Sequence, residues 1–262
     1  MDSCKIKLTI AYDGTQYSGW QIQKVGIGVQ EKVEAALAKL FPTHPRLHSS
    51  SRTDTGVHAL GMVAHFEAPR TDYKLKSKKL QLALNAWLPG DIRITSVSSA
   101  SKEFHARFDA TGKQYRYFVW NNSAMNPLLR HSAWHVPRSL DVRAMREAAS
   151  LFLGKHDFRS FSANQGYERT STVRNLTRCD LKKSASLLTF IIEGDGFIYK
   201  MCRGIVGTLV QIGLGKFPVT DVKKMLAHKD RRVAGMTAPA QGLVLWKVFY
   251  KSKSGIGPGQ NI

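Results

Sequence analysis

Residues 29–41 read Val-Gln-Glu-Lys-Val-Glu-Ala-Ala-Leu-Ala-Lys-Leu-Phe. Apolar residues recur in this stretch at i, i+4 and i+8, which predicts an amphipathic helix. On either side of it the hydrophobic periodicity changes from helical to alternating, as in strands. The elements predicted around this helix are strands at residues 5–12, 46–50, 61–66 and 92–97 and a second helix at residues 75–88. The first part of the chain is therefore predicted to follow the order β-α-β-β-α-β.

The second part of the chain repeats this order of elements. Asp141 is expected to cap a helix at residues 141–153, with Gly154 as its C′ residue. The other predicted elements are strands at residues 114–120, 174–182, 187–193 and 243–250 and helices at residues 199–212 and 219–227. Two such units indicate an α+β fold with two ferredoxin-like (RRM-like) halves, largely antiparallel sheets and a basic cleft between the halves.

This organisation divides the chain into three segments. An N-terminal ferredoxin-like domain is expected at residues 1–105 and a C-terminal one at residues 106–251. The glycine-rich residues 252–262 are expected to form a flexible tail. A sheet of this kind leaves one face free, and RNA-recognition domains use that face.

The charge of the chain points to a polyanionic partner. Thirty-nine Lys and Arg residues against nineteen Asp and Glu residues give a formal net charge of +20. Such an excess destabilises a compact fold through self-repulsion, and a phosphate backbone compensates it with the release of condensed counterions. The basic residues are spread along the whole chain, which favours a broad docking surface over a short localisation signal. The alternative is a solvated surface that serves solubility.

The cysteines and the apolar runs indicate a cytoplasmic protein. Cys4, Cys179 and Cys202 form no C-x-x-C pair and are odd in number, so neither a disulfide framework nor a Cys-rich zinc site is expected. The first residues lack the apolar core of a signal peptide. No run approaches the ~18 apolar residues that a membrane span needs.

Asp54 is the most informative acidic residue, in the stretch Arg52-Thr53-Asp54-Thr55-Gly56 between two predicted strands. One interpretation is a turn in which Asp54 caps its own backbone and Gly56 takes a positive φ. The other is a carboxylate that a nearby arginine keeps ionised, as a nucleophile requires.

Two stretches interleave cations with aromatic rings, Phe-His-Ala-Arg-Phe at residues 104–108 and Gln-Tyr-Arg-Tyr-Phe at residues 114–118. Aromatic rings stack on unpaired bases while arginines bind phosphate. The alternative is the buried face of a strand. Tyr115 and Tyr117 share one face, so they are expected to be buried or exposed together.

Arg203 lies in the first turn of the predicted helix at residues 199–212. It is either a surface charge or the buried partner of a carboxylate, because an unpaired buried guanidinium is costly. Asp54 is the acid expected to pair with it. His131 and His135 are spaced i, i+4 but have no third ligand in register, and residues 213–216 lack the Walker spacing, so neither a metal nor a nucleotide cofactor is expected.

At Arg52-Thr53-Asp54-Thr55-Gly56-Val57-His58-Ala59 the sequence resembles the tRNA pseudouridine synthase A family. The resemblance covers nearly the whole chain. It also rests on Tyr12-Asp13-Gly14, Tyr17-Ser18-Gly19-Trp20-Gln21, Val29-Gln30-Glu31, Asn85, Leu88-Pro89-Gly90-Asp91-Ile92, residues 104–108, Tyr115-Arg116-Tyr117, Asp157-Phe158, Ser160-Phe161, Arg203-Gly204-Ile205-Val206-Gly207 and Gly242-Leu243-Val244-Leu245. So many motifs in one order are highly specific.

The resemblance implies an isomerase that converts uridine to pseudouridine at positions 38, 39 and 40 of the tRNA anticodon stem-loop, without cofactor or metal. It also implies a homodimer that binds tRNA across both subunits. Asp54 matches the essential aspartate and Tyr115 the tyrosine that packs on the target base. Arg203 matches the basic partner of the aspartate, and Arg52 the arginine linked to admitting the flipped nucleotide. Thr53, His58 and Leu245 are further candidates for the site.

The residues fit this chemistry, because the reaction breaks a glycosidic N–C bond and remakes it through C5 of the same base. It needs a carboxylate, an extruded base and removal of the C5 proton, with which Tyr115 could help. Whether Asp54 adds to C6 of the uracil or attacks C1′ of the ribose stays open. Two other classes of protein remain: a non-catalytic RNA-binding module with two RRM-like units, and a metal-dependent nuclease, which would need clustered carboxylates or histidines.

Overall fold

The computed structural model describes residues 3–43, 45–70, 76–163 and 171–251. The predicted tail at residues 252–262 lies outside the described residues. Within them the chain forms, in order, β1 (Ser3–Tyr12), α1 (Val29–Ala38), β2 (His48–Ser49), β3 (His58–Pro69), α2 (Ser77–Trp87), β4 (Ile92–Ala100), β5 (Ala110–Trp120), β6 (Trp134–His135), α3 (Val142–Ser150), β7 (Gly154–Asp157), β8 (Val173–Ser184), β9 (Leu187–Gly194), α4 (Met201–Gly213), α5 (Asp221–His228) and β10 (Leu243–Tyr250). In this part of the chain, no helix has the length and apolar character needed to cross a membrane.

The strands of the described residues form a single sheet in the order β4-β1-β3-β10-β5-β9-β8-β7, with β2 paired to β3 and β6 paired to β5. The pairs β3–β10 and β5–β6 are parallel. The other strand pairs are antiparallel. The predicted α+β class with a largely antiparallel arrangement is therefore confirmed. The strands of the two parts join one sheet, because β10 returns to lie between β3 and β5. The division between residues 105 and 106 stays a prediction.

The junction between β3 and β10 depends on a glycine. Val244 is paired with His58, and Leu245 with Ala59. A Cβ atom at Gly61 would lie 2.4 Å from the carbonyl oxygen of Trp246. That approach is closer than any side chain allows, so the absence of a side chain at this position lets the two strands come together.

The two faces of β5 differ in polarity. Tyr115 and Tyr117 are buried on one face, with 7% and 0% of their surface exposed, so the prediction that they would be buried together is confirmed. On the opposite face the Arg116 guanidinium lies 3.7 Å from the centre of the Trp246 ring. On that same face Gln114 donates a hydrogen bond to Glu193. The sheet therefore has one apolar face and one polar face along this strand.

The predicted start of α3 is confirmed and its predicted end is wrong. Asp141 precedes the helix, and its carboxylate accepts a hydrogen bond of 3.0 Å from the backbone N–H of Ala144. The helix ends with Leu151 as its C-cap because the backbone then tightens, and residues 151–153 donate to carbonyls three residues back. Gly154 is thus not the C′ residue. It has a φ of +92° and begins β7.

Candidate active site

Backbone hydrogen bonds hold the loop that carries Asp54 against the segment after β1. The N–H of Trp20 donates to the carbonyl of Thr53 at 3.1 Å, and the N–H of Val57 donates to the carbonyl of Asp54 at 3.1 Å. The hydroxyl groups of Tyr12 and Thr53 are 2.7 Å apart and share a buried hydrogen bond. These contacts fix the direction in which Asp54 leaves the backbone.

Two glycines of the segment after β1 let it approach the loop this closely. A Cβ atom at Gly19 would lie 2.4 Å from the carbonyl oxygen of Thr53, and one at Gly14 would lie 2.1 Å from that of Val57. Gly56 has a φ of +75°, so the turn expected from the sequence is present. The Asp54 carboxylate, however, reaches across to another part of the chain.

Asp54 and Arg203 form an ion pair between residues that lie far apart in the sequence. Arg203 Nη1 donates to Asp54 Oδ2 at 3.1 Å, and the two side chains are only 14% and 23% exposed. Arg203 Nε donates to the carbonyl of Ala238 at 2.8 Å, which fixes the plane of the guanidinium. The predicted contact between this arginine and Asp54 is confirmed.

The surroundings of Asp54 act on its acidity in opposite directions. Burial raises the pKa of the Asp54 carboxyl above its ordinary value, because a low-polarity environment penalises the charged form. The positive charges of Arg203 and Lys200 act against this rise in pKa without cancelling it. Burial also raises the pKa of the Tyr115 phenol well above its ordinary range, so this group is neutral at physiological pH.

Asp54 opens into a cavity of about 590 Å³. Arg52, Thr53 and Tyr115 line the same cavity, and Arg52 is exposed at its surface. The Phe197 ring packs edge-on against Tyr115 with 5.0 Å between the ring centres. Asp54, Arg52 and Tyr115 therefore line the same cavity. Arg203 is linked to this cavity by its ion pair with Asp54.

His58 and Leu245, the remaining site candidates, lie behind the cavity wall. His58 is 7% exposed, and its ring joins two loops: Gly14 N–H donates to Nδ1 and Nε2 donates to the carbonyl of Gln241, each at 3.0 Å. Leu245 is fully buried and pairs with Tyr115 in the sheet. The neighbouring Leu243 lines the cavity in its place.

Lys200 and Phe197 line the cavity but were not singled out from the sequence. Lys200 directly precedes α4 with a left-handed φ of 60°, an unusual conformation for a residue with a side chain. The sequence feature that could have indicated Lys200 as a site residue is its position three residues before Arg203. No pattern in the sequence distinguishes Phe197, because only the fold brings its loop to Tyr115.

One histidine of the His131–His135 pair has a contact within the protein. His135 Nε2 donates to the carbonyl of Asn122 at 2.8 Å. Among the residues that the structure describes, no group of three or more His, Cys, Asp or Glu side chains is placed to hold a metal ion.

Comparison with known proteins places this chain in a family. A family model described as tRNA pseudouridine synthase matches residues 8–109 and 148–251. The tRNA pseudouridine synthase A 1 of Protochlamydia amoebophila is 44% identical, over 95% of this chain and 97% of the relative. The tRNA pseudouridine synthase A of Geobacillus kaustophilus is 46% identical, over 95% of each chain. That of Ruminiclostridium cellulolyticum is 44% identical, over 94% of this chain and 99% of the relative. The chain therefore belongs to the tRNA pseudouridine synthase family, a family of isomerases.

Proposed function

We propose that this protein isomerises uridine to pseudouridine at positions 38, 39 and 40 in the anticodon stem-loop of tRNA. The observation that carries the proposal is the ion pair of Asp54 with Arg203 at a cavity that Tyr115 also lines. A carboxylate held in one orientation beside an aromatic wall suits attack on a flat base or on its ribose. The family resemblance supplies the choice of tRNA positions.

Asp54 is the proposed nucleophile. Arg203 binds Oδ2, so we assign the attack to Oδ1. Addition of Oδ1 to C6 of the uracil and attack on C1′ of the ribose are both open, and both require the ionised carboxylate. In either route the N1–C1′ bond breaks and the C5–C1′ bond forms. The bond between Asp54 and the substrate breaks again, C5 loses a proton and N1 gains one, so the overall change is an isomerisation.

Arg52 and Tyr115 are proposed to receive the flipped uridine. Extruding a base from a stem costs a few kcal/mol. Stacking on an aromatic side chain is worth about 1–3 kcal/mol per base, so Tyr115 can offset much of this cost. Arg52 is exposed where the cavity meets solvent, which suits a residue that admits the nucleotide and its phosphate.

The strand order supports the proposal of two ferredoxin-like halves. Each half follows the strand order expected for a β-α-β-β-α-β unit. The first half has the order β4-β1-β3 with β2 beside β3, and the second has the order β10-β5-β9-β8. The cavity draws its lining from both of these halves, which supports a basic cleft between them.

We further propose a homodimer, as the family resemblance implies, and a cytoplasmic location. Cys4, Cys179 and Cys202 are not joined in disulfides, in keeping with a reducing compartment.

The test is the variant Asp54→Asn, which keeps the shape of the side chain and removes its charge. We expect it to form no pseudouridine in tRNA transcripts while its affinity for tRNA is equal to or higher than that of the wild type, because the anion contributes nothing to phosphate binding. Pseudouridine is mapped by chemical labelling and primer extension, and affinity is measured by filter binding. Undiminished pseudouridine formation by Asp54→Asn would overturn the mechanism. A wild type that binds tRNA but forms no pseudouridine would favour a non-catalytic RNA-binding module.

A further inference from the structure

The cavity continues beyond the residues assigned to the target uridine. Its lining also includes His105, Arg107, Phe108 and Lys113, none of which the proposed mechanism uses. Lys113 is two residues before Tyr115 on β5, so both side chains lie on the same face, ~7 Å apart along the strand. This second end of the cavity is therefore next to the proposed base pocket.

Phe108 is an exposed aromatic ring at this end of the cavity. It is 75% exposed. The ring of His105 lies 4.3 Å from it, and the guanidinium of Arg107 lies 5.8 Å from its centre. His105 Nδ1 accepts hydrogen bonds from the backbone N–H groups of Arg107 and Phe108, at 3.1 and 3.4 Å. The turn is thus held in a shape that presents the ring to solvent.

Lys113 brings positive charge to the same end of the cavity. Burial, followed by the charges of Arg107 and Arg174, lowers the pKa of the Lys113 ammonium to about 8. Within the described part of the chain, no carboxylate forms an ion pair with Lys113. A half-buried ammonium close to another cation is stabilised when an anion binds between them.

We propose that His105, Arg107, Phe108 and Lys113 form a second nucleotide subsite, in which Lys113 and Arg107 bind a phosphate and Phe108 stacks on the base of a nucleotide adjacent to the target uridine. An aromatic ring beside paired cations is the arrangement by which proteins bind single-stranded nucleic acid. The subsite rests on the proposed function, because the target uridine occupies the Asp54 end. The enzyme then binds two consecutive nucleotides of its RNA, both out of their helical stack.

Two variants remove the two contacts separately. Phe108→Leu removes the ring and keeps an apolar side chain, and Lys113→Gln removes the charge. We expect each to weaken binding of an anticodon stem-loop RNA about tenfold. Lys113→Gln should also reduce the slope of log Kd against log salt by about 1, whereas Phe108→Leu should leave it unchanged.

Matched controls separate the subsite from general effects. Lys247→Gln removes one positive charge from β10, where Lys247 pairs with Gln114 and so lies on the other face of the sheet from Lys113. Trp87→Leu removes another exposed ring, 60% exposed on α2 and outside the cavity lining. Both controls should bind RNA within twofold of the wild type, and Phe108→Tyr should bind as the wild type does.

RNA with an abasic site locates the stacked base. Removing the base on one side of the target uridine should weaken wild-type binding about as much as Phe108→Leu does, and combining the two changes should cost nothing further. The subsite would be overturned if Phe108→Leu and Lys113→Gln bound RNA with wild-type affinity. It would also be overturned if the loss of affinity from Phe108→Leu added to the loss from an abasic site, whichever side of the target uridine carried that site. Since these are binding measurements, they remain decisive even if the wild type forms no pseudouridine, a result that would refute the proposed function alone.

Discussion

The Asp54 carboxylate illustrates how opposing influences set the acidity of a single residue. Burial makes the neutral form more favourable, while Arg203 and Lys200 make the ionised form more favourable, and the resulting pKa lies above the ordinary value. A carboxylate that is only partly stabilised retains its nucleophilicity. If the carboxylate were fully exposed, solvation by water would lower its nucleophilicity. If it were fully buried, it would be protonated.

The balance predicts a pH effect of removing Arg203. In Arg203→Gln the largest opposing charge is lost, so the pKa of Asp54 should rise further and the ionised form should appear only at higher pH. The acidic limb of the kcat/KM profile for pseudouridine formation should therefore move to higher pH, with activity partly recovered in alkaline buffer. Arg203→Lys, which keeps a positive charge, should move the limb less. A uniformly lower rate with an unshifted limb would mean that Arg203 acts only on the fold.

At the scale of elements, the sequence predicts best where a residue determines its own local structure. Asp141 caps α3 through a contact three residues away, and alternation along β5 buries Tyr115 together with Tyr117. The short strands β6 and β7 were not predicted, because two to four residues are too few to establish a period. The long-range contact of Asp54 with Arg203 was expected from the cost of an unpaired buried guanidinium together with the family resemblance. Nothing local could reveal the left-handed φ of Lys200 or the approach of Phe197 to Tyr115.

The pairing of β3 with β10 gives a prediction about elements. In Gly61→Ala the new methyl group would meet the carbonyl oxygen of Trp246. We expect a loss of about 1–3 kcal/mol in the free energy of unfolding, as for other overpacked sites. Activity should fall as well, because this junction links the loop of Asp54 to the strands next to Tyr115. The matched control is Gly90→Ala, since nothing lies within 4 Å of a Cβ atom at Gly90. Urea unfolding and single-turnover assays measure both effects, and equal stability of the two variants would contradict the role given to the junction.

At the scale of the whole molecule, the net charge of +20 has to be reconciled with a stable fold. Ion pairs on the polar face of the sheet, such as Arg178 with Glu193 at 3.3 Å, neutralise only part of the excess. The remainder produces a positive field that attracts polyanions from a distance and is screened by salt. A protein of this charge should gain stability when RNA binds, because the partner neutralises the self-repulsion.

The same field predicts how tRNA binding responds to salt. If six or more phosphates are neutralised, affinity should fall on the order of 10³-fold between 50 and 200 mM salt, because each contact releases counterions. Asp54→Asn should show the same salt slope as the wild type, since in the proposed mechanism Asp54 contacts the reacting nucleotide and no phosphate. Filter binding across this salt range measures the slope directly. A flat response would show that the basic surface serves solubility, and the tRNA would then have to be held by base contacts within the cavity alone.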